Sequence, residues 1–269
     1  MTLLPGCRFA VAPHFHLPGD WSSRLLIGAG IAEADGGFIP RSSWRPPTAA
    51  ELSVLVEPPP LANLEDVGCL FLLPQHLRAE WWQWLERTHE SNKAGAQSAQ
   101  APFSNLAQRI GEFLAFKQLA VPDGARWDAV ISDPMQLLTP WCLDGRRFGG
   151  LRCSVAPWAS WAVTAEPPCP CLWGGINLGE EPTSLVVINL PLAKLAAECR
   201  RRFPERPTPA TAGELAERFL SDCPDYAPVR LLLGAGEGVR LPRGGMILAG
   251  YPGGKAEPEM VLLISRGTN

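Results

Sequence analysis

Residues 229–250 read VRLLLGAGEGVRLPRGGMILAG, and this stretch decides the fold class. Val229–Leu233 is a short apolar run ended by glycine. Gly238–Leu241 is a second run, ended by Pro242, and Met246–Ala249 is a third, after Gly244 and Gly245. Short apolar, partly β-branched runs bounded by Gly and Pro are strands joined by tight turns. Gly234-Ala235-Gly236-Glu237-Gly238 has the glycines of a nucleotide loop, but no Lys-Ser/Thr follows and no helix begins there. It reads as a β-turn.

The same period extends outward. Trp127–Ser132, Leu151–Val155, Leu185–Leu190 and Met260–Ser265 are further short strands. Two helices interleave with them: Leu192–Arg202, and Thr211–Leu220, which opens on the capping-box pair Thr211 and Glu214. Farther upstream the period becomes helical. Leu77, Trp81, Trp84 and Leu85 make one apolar stripe over residues 76–90, and Leu106, Ile110, Phe113 and Leu114 make another over Asn105–Leu119. Ser91–Pro102, small and polar, reads as a flexible loop between them. Residues 1–60 show no sustained period and close on the stiff linker Pro58-Pro59-Pro60. The expected organisation is an irregular N-terminal segment, 1–60, and one α+β domain, 61–269. Helices before and among many short strands favour a barrel-like core over a doubly wound sheet.

Of the 269 residues, 46% are hydrophobic and 19% charged, enough apolar mass for a substantial core. Net charge is −3 with no block of Lys and Arg, which argues against nucleic acid as a partner. No run reaches 18 apolar residues, so no membrane span is expected. The first ten residues lack a signal-peptide pattern, and the eight cysteines are scattered apart from Cys169 and Cys171. Buried free thiols and a cytoplasmic location are the expectation.

Three stretches in order carry a resemblance. The first is Gly150-Leu151-Arg152-Cys153-Ser154 with Trp158 after it; the second is Gly175-Ile176-Asn177-Leu178-Gly179 and the strand that follows. The third runs from Val229 through Gly236-Glu237-Gly238 and Ile247-Leu248-Ala249-Gly250 to Arg266. Residues 127–266 thereby resemble a bacterial branch of the iron(II)/2-oxoglutarate-dependent oxygenases, in which the first stretch reads G-L-H-x-D and the third ends in H-D-G and an arginine. The resemblance implies a double-stranded β-helix, a jelly-roll or cupin-like core with buttressing helices. It places the first iron ligand on Arg152, the carboxylate ligand on Ser154, the distal histidine on Leu248 and the 2-oxoglutarate arginine on Arg266. A facial triad needs two imidazoles and a carboxylate. None is present, and a guanidinium stays charged and cannot ligate metal.

Arg152, Ser154, Trp158, Asn177 and Arg266 are therefore candidates for binding a ligand rather than iron. A fork-shaped guanidinium facing into a barrel, joined by Arg266 and Arg240, would hold a carboxylate or phosphate. Alternatively, Arg152 pairs with Asp144, Glu180 or Glu181. His14, His16 and Asp20 are an alternative metal set, because alternate strand positions share a face; the competing reading is two exposed imidazoles in a loop. Cys169 and Cys171 with Cys153 and Cys142 could hold zinc, although a second closely spaced pair is lacking. Trp82 lies off its helix stripe and could sit in an interface, while Trp158, Trp161 and Trp173 could line a pocket or pack the core.

The expected function is an oxygenase-like pseudoenzyme that binds a small acidic molecule or a protein partner and has no cofactor. Two alternatives stand beside it. One is an active iron(II)/2-oxoglutarate hydroxylase with unusual ligands. The other is a structural subunit of an enzyme complex, with oligomerisation possible.

Overall fold

The computed structural model describes residues 3–17, 19–34, 37–41, 43–58, 67–93, 100–119, 121–132, 162–163, 172–207, 209, 212–242, 245–250 and 259–265. Over these it is a mixed α+β structure with two six-stranded, mostly antiparallel sheets, one separate hairpin and six helices.

Chain order is β1 (Arg8–Val11), α1 (Trp21–Arg24), β2 (Leu25–Gly28), β3 (Ile31–Ala34), β4 (Gly37–Pro40), β5 (Trp44–Arg45), α2 (Ala49–Leu55), β6 (Val67–Leu72), α3 (Gln75–Lys93) and α4 (Gln100–Phe116). Then come β7 (Arg126–Ser132), β8 (Ala162–Val163), β9 (Leu172–Asn177), β10 (Thr183–Ile188), α5 (Leu192–Arg202), α6 (Ala212–Asp222), β11 (Val229–Leu233), β12 (Glu237–Arg240), β13 (Ile247–Gly250) and β14 (Glu259–Ser265). The first sheet has the order β1-β6-β12-β9-β14-β7 and the second β5-β2-β11-β10-β13-β8. From β7 onward, strands fall in the first, second, first, second, second, first, second and first sheet.

The strands expected at 127–132, 185–190, 229–233, 238–241, 246–249 and 260–265 are present within two residues. So are the four helices, although α3 runs on to Lys93 and α4 starts at Gln100, inside the expected loop. The strand at 151–155, Thr211 and Pro59–Pro60 lie outside the described residues.

Residues 1–60 are not irregular. β1 pairs in parallel with β6, β2 pairs with β11, and β5 pairs with β2, so this segment extends both sheets. These strands are four residues or fewer and are interrupted by Gly28 and Gly30, too short to show a period. Pairing to longer neighbours, rather than intrinsic propensity, makes them strands. The entry into the first sheet is pinned by Asn189: its Nδ2 donates to Leu4 O at 2.9 Å, its carbonyl accepts from Cys7 N, and its Oδ1 accepts from Tyr226 Oη at 2.7 Å. Gly6 passes so close that a Cβ there would lie 1.9 Å from Asn189 O.

Register sorts the two faces of the first sheet. Phe9, Gly68, Leu70, Val239, Gly175 and Leu263 form one row system; Ala10, Cys69, Phe71, Ile176, Leu262 and Ile264 form the other. Ala10, Cys69, Phe71, Ile176, Leu262 and Ile264 pack with Leu77, Trp81 and Trp84 of α3 and Leu106, Ile110 and Leu114 of α4. The helices thus buttress that face. Phe9, Leu70 and Val239 instead pack with Ile27, Val187, Val229, Leu231 and Leu248 of the second sheet. One core therefore lies between the sheets and a second between the first sheet and α3–α4, and Gly175, Val261 and Leu263 belong to the inner face by alternation along their strands.

Candidate functional site

The sheets meet at two ends that differ in chemistry. Two tight turns close the first end, between β9 and β10 and between β11 and β12. Glu237 opens β12, is 3% exposed, and accepts from both terminal nitrogens of Arg24, at 2.5 and 2.8 Å. It also accepts from Gly234 N at 2.7 Å. One carboxylate thus ties α1 at the start of β2 to the opposite sheet and shapes the glycine turn. Asn177 finishes the work: its Nδ2 donates to Glu181 O at 2.9 Å and Leu233 O at 3.0 Å, and its Oδ1 accepts from Gly179 N at 3.0 Å. Asn177 is 1% exposed and its amide is fully engaged with backbone, which is a turn-holding geometry. Gly236, at φ +77°, is required there; a Cβ would meet the side chain of Arg78.

The second end is where β13 enters with Ile247 and β14 leaves with Ser265. Short turns carry the chain between the sheets, and β13 and β14 each hold the fifth place in their strand orders. On β14 the helix side is sealed: Leu262 and Ile264 are 0% exposed. The inner side is not, since Val261, Leu263 and the neighbouring Gly175 are all half-buried. Ordinarily the core face of a strand is the more buried one. Here the order is inverted, and the inner row of β14 and β9 is the less buried one. Leu248 of β13, in register with Val187, is buried in the core between the sheets. At the end of β14 lies Ser265, 3% exposed, whose Oγ has no hydrogen-bond partner. Register sets Arg126 opposite Ser265 and Asp128 opposite Leu263.

Of the residues singled out in the sequence, Arg152, Ser154, Trp158, Trp161, Arg266 and Cys142, Cys153, Cys169 and Cys171 lie outside the described residues, as does Asp144. Leu248 is the described member of the would-be metal set, and it is buried and apolar. Arg240 does not join an inner-face site. It pairs in register with Cys69 and Gly174 on the helix side, where it donates to Val67 O at 3.2 Å and lies 3.4 Å from Cys69 Sγ. Burial raises the Cys69 thiol pKa, with Arg240 opposing it. Glu180, offered as a partner for Arg152, pairs with Arg78.

His14, His16 and Asp20 do not come together as a metal site. They follow the end of β1 rather than lying on it, both imidazoles are exposed, and His14 has φ +66°. The Asp20 carboxylate caps α1, accepting from Ser23 N and Ser22 Oγ, and these bonds lower its pKa. No group of three or more His, Cys, Asp or Glu side chains able to hold a metal occurs among the described residues. Trp82 is half-buried against the α3–α4 core, and Trp173 is 8% exposed in the same cluster, so neither forms an exposed platform.

Sequence reasoning did not single out Ser265 or the half-buried row beside it. The signal was available in principle: alternation along Met260–Ser265 puts a lone hydroxyl in line with two apolar residues. Only the exposure of that row separates a site from ordinary core. A shallow groove of about 480 Å³ beside α6 is a weaker candidate. In it Arg206 pairs with Asp222 at 2.7 Å and Arg218 donates to Pro207 O. No helix among the described residues is long and apolar enough to cross a membrane. Comparison with protein families, with characterised proteins and with solved structures finds no match to this chain.

Proposed function

We propose that β7–β14 form a double-stranded β-helix of the oxygenase type, and that this protein binds a small acidic molecule on the half-buried inner face without iron chemistry. The distribution of eight consecutive strands over two sheets, changing sheet at every step except β10 to β11, supports the jelly-roll reading. So does the packing of α3 and α4 against the outer face of the first sheet.

The observation that carries the functional reading is Leu248. The resemblance puts the distal histidine there, on β13, and the side chain is instead a buried aliphatic one. Every histidine of the chain, His14, His16, His76 and His89, precedes β7. The strands β7–β14 therefore cannot supply the two imidazoles of a facial triad. The residues present do not fit a resident iron, and no step is routed through one. By the resemblance, Arg152 and Arg266 stand at positions from which guanidinium groups would hold a carboxylate.

The test is a titration of 2-oxoglutarate, succinate and monocarboxylates into the purified protein, followed by tryptophan fluorescence, with and without iron(II) under anaerobic conditions. Saturable binding of a carboxylate, with the same affinity in both buffers, is expected. Binding that requires iron(II), or no carboxylate binding at all, overturns the proposal.

A further inference from the structure

We draw no further inference here: the strongest candidate, the shallow groove of about 480 Å³ between Phe38 of β4 and α6, carries nothing because its less exposed charges, Asp222 and Arg218, are already bonded to Arg206 and to Pro207 O while Glu214, Glu217 and Ser221 are exposed, so nothing in it points to a ligand.

Discussion

Replacing Glu237 with Gln removes one charge and almost no volume from the closed end of the sheets. Glu237 and Arg24 side chains are 4% and 11% exposed, and the carboxylate receives three short contacts: two from Arg24 and one from Gly234 N. The amide keeps one acceptor but turns an N–H toward the guanidinium, so a buried cation loses its counter-charge and one of two hydrogen bonds. Removing one partner of a buried pair costs about 3–5 kcal/mol. The retained acceptor sets the expectation near the low end, about 3 kcal/mol, a large share of a typical 5–15 kcal/mol stability. Urea unfolding followed by tryptophan fluorescence and far-UV circular dichroism measures it. The midpoint should fall while the slope stays constant. Replacing both residues by Met should restore most of the loss, because two apolar groups leave no orphan charge. A cost for Glu237→Gln below about 1 kcal/mol, the level of an exposed pair, would refute the assignment of this contact as the tie between sheets. So would a double variant as unstable as the single one.

Gly6→Ala should destabilise the protein by more than about 2 kcal/mol and release residues 3–7 to limited proteolysis, since the new methyl collides with Asn189 O; wild-type protease resistance would contradict the N-terminal docking. The Glu198 carboxyl is held down to about 2, first by Arg201 and then by Arg202. A depressed pKa contributes stability that is present above the unfolded value and is lost as pH falls from about 5 toward 2. Glu198→Gln should remove about 1 kcal/mol at pH 7 after solvent screening and flatten the acid limb of a stability–pH curve; an unchanged acid limb would contradict it. Cys199 is pushed up to about 11, chiefly by burial, and Cys223 is raised for the same leading reason. Both should resist iodoacetamide at pH 8 in the native protein and react on unfolding, as read by peptide mass spectrometry.

The C-terminal strands and all four long helices were legible because each has its own signal. Val229–Leu233 is bounded by Gly234, and Trp81 and Trp84 recur on a helical stripe. The N-terminal strands were not legible, because β2 and β5 owe their conformation to partners more than 180 residues away or to each other. Pairing over such separations leaves no local pattern. At the site, Leu248 could be read as a missing ligand from sequence order alone. The role of Asn177 could not, because its side chain bonds to Leu233 O, a contact set by tertiary structure. Arg240 was grouped with the inner-face arginines because sequence does not reveal which sheet face a residue of a four-residue strand takes. A one-residue change of register reverses that face.

Anaerobic addition of iron(II) and 2-oxoglutarate, with visible absorption recorded and bound metal counted after desalting, addresses the central claim most directly. The account predicts no charge-transfer band and no stoichiometric iron, while carboxylate binding persists in the same sample. A band with one iron retained per chain, together with succinate formed on admitting oxygen, would contradict it and make the protein an oxygenase with ligands drawn from outside β7–β14.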